Sequence, residues 1–194
     1  MRSSYKQNNY TLLFERSAEA FLPQKCVELG VLDGYSTVAI AKGLKRASIV
    51  GNHFSHLHAY DLWEDYPYKH GNMDKVQKLI DDEDLSRFVT LYRKDAFEVY
   101  KDYDEESICL LHVDLSNTGE ILEKIVEQWH TRLSMGGMLL FEGGSEERDN
   151  IEWMKKYDKK PIKPVIEGHE ILNEHYIYGT YLDFPSLTVF IRKG

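Results

Sequence analysis

The sequence predicts an α/β protein with a doubly wound, mostly parallel sheet that ends in a C-terminal antiparallel hairpin. Two observations predict it: short apolar runs alternate with amphipathic or polar stretches, and the last two runs alternate apolar and polar residues around a turn. Alternating strands and helices imply right-handed crossovers, which place helices on both faces of a parallel sheet. The length of 194 residues suits a single domain over 1–194, with an N-terminal helical segment (1–21) and an α/β core (22–194).

The individual elements follow from these patterns in chain order. Compact apolar runs predict the strands of the parallel part at 25–29, 57–62, 88–92, 107–113 and 138–141. Apolar residues at helical spacing predict helices at 35–44, 73–82, 118–133 and 150–157. The stretches 176–182 and 187–192, which are joined through 183–186, predict the closing hairpin.

Composition and charge narrow the classes of function. The chain has 24 Lys+Arg against 32 Asp+Glu, a formal net charge of −8, whereas a general nucleic-acid binder needs a basic face. No apolar run approaches the roughly 20 residues that cross a bilayer, and the N-terminus lacks the apolar stretch of a signal peptide. Cys26 and Cys109 lie in apolar runs, which is typical of core thiols. We therefore expect a cytoplasmic protein with no nucleic-acid or membrane partner, and its oligomeric state stays open.

The turn after the first predicted strand carries the first chemical signal, in the segment E-L-G-V-L-D-G-Y-S at 28–36. Gly30 lets the chain turn sharply, Gly34 allows close backbone approach where the helix begins, and Ser36 or Thr37 can supply a hydroxyl there. The G-x-x-x-G spacing differs from the G-x-G-x-x-G that cradles a pyrophosphate. A nicotinamide dinucleotide is therefore disfavoured, and a glycine turn without a ligand stays an alternative.

Acidic residues lie at the carboxyl ends of successive strands. They are Glu28 in the first strand, Asp61 at the second, Asp95 after the third and Asp114 after the fourth. Because these strand ends line one crevice of an open α/β sheet, we expect the four acids to surround one ligand site. A carboxylate at Asp61 can accept both hydroxyls of a ribose. Each acid taken alone could also be a helix N-cap.

At these residues the chain resembles the class I S-adenosylmethionine-dependent methyltransferases. The similarity narrows to a bacterial branch of small-molecule methyltransferases, whose D-x-W-x-G-D, L-H-I-D-G-x-H-x-Y and L-F-H-D motifs have counterparts at 61–65, 111–114 and 140–142. The resemblance covers about residues 22–160 and implies a Rossmann-like methyltransferase fold with S-adenosylmethionine as cofactor. It implies cofactor contacts from Glu28, Gly30, Gly34, Ser36, Asp61, Leu62, Trp63, Asp95, Ala96 and Asp114.

The resemblance implies separate contacts for each part of the cofactor. The glycine loop would hold the methionine end, Asp61 would bind the ribose, and Asp95 with Ala96 would face the adenine. The chain departs from the branch on the acceptor side, where Asn117 replaces a histidine after the fourth strand. After the fifth strand, Glu142-Gly143 replaces the branch's His-Asp.

These departures bear on the catalytic chemistry. Related O-methyltransferases hold a divalent cation with acids after strands four and five. Here Asp114 remains but the second aspartate is Gly143, so a Mg²⁺-like ion is an alternative that the sequence does not favour. Without a metal, Asp114 or Glu142 is the candidate general base, provided that burial raises its pKa. An equally weighted alternative leaves both acids without a catalytic role.

The leading hypothesis is methyl transfer from S-adenosylmethionine to a small-molecule acceptor, with a hydroxyl group as the expected acceptor. Two alternatives stay open. The changed motifs leave open a non-catalytic or altered-function module that binds S-adenosylmethionine, and a nucleotide-dependent oxidoreductase is disfavoured by the glycine spacing. The sequence names no acceptor, but six tyrosines in loops and in the hairpin predict an aromatic acceptor pocket: Tyr60, Tyr66, Tyr68, Tyr176, Tyr178 and Tyr181.

The histidines have a structural interpretation. His112 lies in a predicted central strand, so we expect a core residue rather than a base. His53, His56 and His58 have the spacing of a metal cluster but no acids in register, and we expect a solvated loop there.

Overall fold

The computed structural model describes residues 1–20, 25–51 and 55–194, and a seven-stranded sheet lies at its centre. The strands are β1 (Lys25–Leu29), β2 (His56–Asp61), β3 (Val89–Arg93), β4 (Ile108–Val113), β5 (Leu133–Glu142), β6 (Tyr176–Tyr181) and β7 (Leu187–Arg192). Their order across the sheet is β3-β2-β1-β4-β5-β7-β6. Strands β1 to β5 are parallel, whereas β7 is antiparallel to both of its neighbours. The predicted fold class is confirmed.

Helices cover both faces of the sheet. They are α1 (Thr11–Ala20), α2 (Tyr35–Gly51), α3 (Met73–Asp82), α4 (Ala96–Val99), α5 (Gly119–Trp129), α6 (Glu146–Asp149), α7 (Glu152–Lys156), α8 (Ile162–Gly168) and α9 (Glu170–His175). One apolar cluster packs α1, α2 and α3 on the first face, and a second cluster packs α4, α5, α8 and α9 on the other. Within the described ranges, no helix has both the length and the apolar character needed to cross a membrane.

Two predicted helices differ from the structure in their ends. Helix α2 continues to Gly51, beyond the predicted range 35–44, because Ala47 still packs into the core. Helix α5 ends at Trp129, whereas Leu133, predicted to be helical, begins β5. No element was predicted for the region of α8 and α9.

The glycine pair Gly136-Gly137, just ahead of the apolar run that predicted the fifth strand, lies within β5. Ile108 pairs with Leu133, but Leu110 pairs with Met138, so β5 accommodates extra residues at this point. Gly136 has a φ of +72° there, which lets the strand absorb this irregularity without ending. The strand therefore begins earlier than its apolar run.

Both cysteines are free thiols, as expected of core residues. Cys26 in β1 is fully buried, and Cys109 in β4 is half-buried. Burial raises the pKa of the Cys26 thiol well above its ordinary value, so the thiol stays protonated and unreactive.

Candidate functional site

The glycine loop (residues 30–34) connects β1 to α2 at the carboxyl edge of the parallel strands. Gly30 has a φ of +91°, and a Cβ there would lie 2.1 Å from the backbone oxygen of Asp114. Gly34 has a φ of +79°, and a Cβ there would lie 2.8 Å from the side chain of Val76. Both positions therefore require glycine, and the loop lies directly against the end of β4.

Asp61 ends β2 beside the glycine loop. Its Oδ2 accepts hydrogen bonds from the backbone N–H groups of Val31 at 2.8 Å and Leu32 at 3.0 Å. Its Oδ1 accepts a third from the backbone N–H of Trp63 at 2.8 Å. A carboxylate offers about four lone-pair positions, so these hydrogen bonds leave little room for Asp61 to accept more from a ligand. A ribose bound to Asp61 would therefore replace at least one of these N–H groups.

The neighbouring residues that the sequence analysis assigned to the cofactor differ in exposure. The Trp63 side chain is fully buried, and its indole nitrogen donates to a backbone carbonyl of β3 at 3.0 Å. Leu62 is half-buried. Asp95 is exposed and caps α4 by accepting from the Phe97 N–H at 2.9 Å, and Ala96 is buried behind it. The Asp95 carboxylate is accessible to a ligand, whereas the Trp63 ring belongs to the core.

Glu28 is the centre of a buried network of hydrogen bonds, the Glu28 network (Glu28, Ser36, Thr37, His112 and Tyr5). The carboxylate of Glu28 accepts from Ser36 Oγ and Thr37 Oγ1, each at 2.5 Å. His112 Nδ1 lies 3.0 Å from Glu28 Oε1, and its Nε2 lies 3.2 Å from the Tyr5 hydroxyl. The network joins β1, α2 and β4 to the N-terminus, so Glu28 and Ser36 hold the glycine loop in place. His112 is a buried core residue, as expected.

The N-terminal segment (residues 1–10) lies against this edge of the sheet. Arg2 forms an ion pair with Asp33 of the glycine loop at 2.7 Å, and its hydrogen bonds lower the pKa of Asp33 to about 2. Asn8 Nδ2 donates to two carbonyls of the turn between β6 and β7, at 2.9 and 3.0 Å. The segment therefore spans the edge from the glycine loop to the hairpin. The sequence analysis assigned no site residue to it.

Asp114 directly follows β4, and the pairing of Val113 with Phe141 places it beside Glu142 on the next strand. Burial, and secondarily the charge of Glu142, raises the pKa of Asp114 to about 7. The Tyr5 hydroxyl lies within hydrogen-bonding reach of Asp114, and burial raises the pKa of Tyr5 well above its ordinary value. Tyr5 therefore stays protonated, while Asp114 is able to gain or lose a proton near neutral pH.

Glu142 forms a buried ion pair with Arg148. Arg148 Nε lies 2.7 Å from Oε1 of Glu142, and Nη2 lies 3.1 Å from Oε2. Asn117 supports the pair: its carbonyl accepts from Nη2 at 3.2 Å, and its Nδ2 donates to the Glu142 carbonyl at 2.9 Å. Because the guanidinium binds both carboxylate oxygens of Glu142, this acid is not a free proton acceptor.

Arg148, which lies in the single turn of α6 ahead of the predicted helix at 150–157, is not among the residues predicted from the sequence. A signal was present, because Ser145 caps this turn by accepting from the Arg148 N–H at 3.1 Å. Two glutamates follow that serine, a pattern that favours a helix start.

The residues after β4 and β5 do not fit a divalent cation. Glu142 already has both oxygens on Arg148, and Gly143 has no side chain to replace them. Elsewhere in the part of the chain that the structure describes, no group of three or more His, Cys, Asp or Glu is placed to hold a metal ion. The solvated loop expected at the histidines is wrong for two of them: His56 and His58 are half-buried residues of β2, with ring centroids 5.2 Å apart, and His53 lies outside the described residues.

The structure separates the six tyrosines of the predicted aromatic pocket. Tyr60 is buried on the second face of the sheet, because its place in β2 directs it there. Tyr176 begins β6 at the opposite edge of the sheet. Tyr181 of the hairpin does reach the carboxyl edge, where it meets rings of the N-terminal segment: Tyr10 lies 5.8 Å from Tyr5 and 6.1 Å from Tyr181 between ring centroids.

Comparison with known proteins decides the family. Residues 27–142, more than half of the chain, match the family described as "Methyltransferase domain". The chain belongs to this methyltransferase family. The matched region runs from β1 to the end of β5 and includes the glycine loop, Asp61, Asp114 and Glu142. The resemblance that the motifs indicated is therefore confirmed.

Solved structures of other methyltransferases have a similar fold. The O-methyltransferase TomG from Streptomyces achromogenes, in complex with SAM, shares 13% identity at a TM-score of 0.68, with 98% of this chain and 86% of that chain covered. An O-methyltransferase from Bacillus cereus, in complex with SAH, shares 13% identity at a TM-score of 0.70, with 99% and 83% covered. A methyltransferase from Geobacter sulfurreducens shares 13% identity at a TM-score of 0.66, with 98% and 84% covered. No curated protein matches the chain.

Proposed function

We propose that this methyltransferase transfers a methyl group from S-adenosylmethionine to a hydroxyl group of a small molecule, with Asp114 as the general base. The observation that carries the proposal is the meeting of the glycine loop, Asp61 and Asp114 at one edge of the sheet. The changed acceptor-side motifs are compatible with activity, because Asn117 supports the Glu142–Arg148 pair and thus has a structural role.

The cofactor is proposed on the chemistry of this edge. The glycine loop is shaped for close backbone approach, Asp61 would hold the ribose after releasing a loop N–H, and Asp95 with Ala96 would face the adenine. Two proteins of similar fold were solved with SAM or SAH. Glu28 and Ser36 contribute by holding the loop, Trp63 contributes only through its backbone, and Gly34 and Leu62 line the same edge.

When bound, S-adenosylmethionine supplies a methyl group that is already activated on a sulfonium. The chain therefore has two tasks, to hold the acceptor in line and to receive its proton. Asp114 receives that proton, and the Tyr5 hydroxyl orients the Asp114 carboxylate. The N-terminal segment excludes water from this edge of the sheet.

The pH dependence of methyl transfer tests the base. Because the pKa of Asp114 is about 7, the rate should rise with pH up to neutrality and then level off. Asp114→Asn should lower kcat by roughly 100- to 10,000-fold and remove this rise. The measurement is the initial rate of S-adenosylhomocysteine formation with phenolic and sugar hydroxyl acceptors between pH 5.5 and 8.5.

Asp104→Asn provides the matched control, because Asp104 is exposed just ahead of β4, at the opposite edge of the sheet. This variant should keep the wild-type rate and the wild-type dependence of the rate on pH. An Asp114→Asn variant as fast as wild type would refute the assignment of the base. Binding of S-adenosylhomocysteine without turnover of any acceptor would instead identify a cofactor-binding module.

A further inference from the structure

Arg148 places a positive charge on Glu142, the acid that ends β5 beside Asp114. Asp114 and Glu142 lie on neighbouring strands, and the alternation of side chains along β5 directs Glu142 to the first face, as it does Leu140. The side chains of Glu142 and Arg148 are only 7% and 8% exposed. The ion pair is therefore desolvated and adjacent to the proposed base.

One nitrogen of this guanidinium is unused. Nε and Nη2 of Arg148 donate to Glu142 and to the Asn117 carbonyl, whereas Nη1 is buried and has no hydrogen-bond partner among the described residues. A buried N–H group without an acceptor is costly and rare in native proteins. Next to a candidate active site, it indicates that an acceptor atom of a ligand completes the arrangement.

We propose that Arg148 is a further catalytic residue, whose Nη1 donates a hydrogen bond to the reacting oxygen of the methyl acceptor. Arg148 thereby supplies the positive charge that a divalent cation supplies in metal-dependent O-methyltransferases, so that this chain works without a metal. The inference rests on the proposed function. A hydrogen-bond donor that faces developing negative charge in a desolvated site stabilises the transition state.

The step is balanced without another reactant. The acceptor hydroxyl gives its proton to Asp114, its oxygen forms the new bond to the methyl carbon, and the bond from that carbon to sulfur breaks. The electron pair of the broken bond stays on sulfur, which becomes a neutral thioether. Arg148 acts in this step only as a hydrogen-bond donor and exchanges no proton.

The first test measures binding of Mn²⁺ alone, by electron paramagnetic resonance, and needs no activity. Wild type should bind no Mn²⁺ at this site, because the guanidinium holds Glu142. Arg148→Ala should gain a Mn²⁺ site, because it frees the Glu142 carboxylate beside Asp114, and adding Glu142→Gln should abolish that gain. Mn²⁺ binding by wild type that is lost in Glu142→Gln would overturn the proposal.

The second test measures S-adenosylhomocysteine formation. Wild type should keep its rate in excess chelator, and the double variant Arg148→Met/Glu142→Gln should lose roughly 100- to 1,000-fold in kcat. The double variant leaves no unpaired buried charge, so it should fold even if Arg148→Ala does not. The kcat of Arg148→Lys, which keeps the charge but loses the planar fork, should lie between the values for wild type and for the double variant.

Binding of S-adenosylhomocysteine separates this inference from the proposed function. All Arg148 variants should bind S-adenosylhomocysteine as wild type does, because none of the proposed cofactor contacts comes from Arg148. If chelator slows the wild type, or if the double variant has the wild-type kcat, the role of Arg148 is refuted while the proposed function stands. A wild type that does not bind the cofactor product would contradict the proposed function instead.

Discussion

Tyr5 links Asp114 and the Glu28 network to the N-terminal segment through one hydroxyl. The ring is 1% exposed, and the hydroxyl reaches both His112 and Asp114. The hydrogen bond from Tyr5 stabilises the ionised form of Asp114 and so lowers its pKa, against the larger effect of burial, which raises it. The proton affinity of the proposed base therefore depends on a residue outside the family match.

This dependence predicts the effect of Tyr5→Phe. Removing the hydroxyl should raise the pKa of Asp114 further, so the rise in methyl-transfer rate with pH should move to higher pH. Leaving the buried partners unpaired should also lower the free energy of unfolding by about 1–3 kcal/mol. The pH–rate profile and urea denaturation measure the two effects.

Tyr10→Phe is the matched control for this substitution. The Tyr10 hydroxyl bonds to the carbonyl of Asp183 at 3.3 Å and not to the buried acids, so the variant should keep the wild-type profile. If both variants shifted the profile equally, the hydrogen bond from Tyr5 to Asp114 would not be the cause.

At the level of single residues, sequence spacing located the acids but not their partners. Strand ends can be placed from apolar runs, so Asp61 and Asp114 were expected at one edge. That the carboxylate of Asp61 accepts N–H groups of the glycine loop, and that Glu142 pairs with Arg148, depends on tertiary packing. These partners decide which acid is free to act.

The turn from β1 to α2 is the element whose backbone the site depends on most. Gly30→Ala should lower the free energy of unfolding by more than about 3 kcal/mol, or prevent folding, because the new Cβ would meet the backbone of Asp114 and the φ of +91° disfavours alanine. Gly168→Ala, at the end of α8, meets nothing within 4 Å and should change stability by no more than about 1 kcal/mol. Urea denaturation of both variants measures the difference, and equal stabilities would contradict the close packing of the loop.

The strands were easier to predict than the short helices. Central parallel strands are covered on both faces and therefore read as continuous apolar runs. Helices α6, α8 and α9 are short, so they give too few periods for an apolar face to be recognised. Within β5 a glycine bulge has the same composition as a turn, and only pairing with β4 distinguishes the two.

For the whole molecule, the strand order explains why distant residues form one site. Because β1 lies between β2 and β4, the glycine loop, Asp61 and Asp114 meet although they are far apart in sequence. The concentration of carboxylates at this edge suits the positively charged sulfonium of S-adenosylmethionine. Of the predicted pocket tyrosines, Tyr60 and Tyr176 are core residues and Tyr181 reaches the carboxyl edge, because strand order and register decide which face and which edge each ring occupies.

The proposed function depends on S-adenosylmethionine binding at this edge of the sheet, which calorimetric titration measures. S-adenosylmethionine and S-adenosylhomocysteine should each bind once per chain, and NAD should not bind. Asp61→Ala should weaken both at least tenfold, about 1.4 kcal/mol, while the exposed control Asp104→Ala should bind as wild type does. A wild-type chain that binds neither sulfur compound would refute the cofactor site. An Asp61→Ala variant with undiminished affinity would refute the assignment of Asp61 to the ribose.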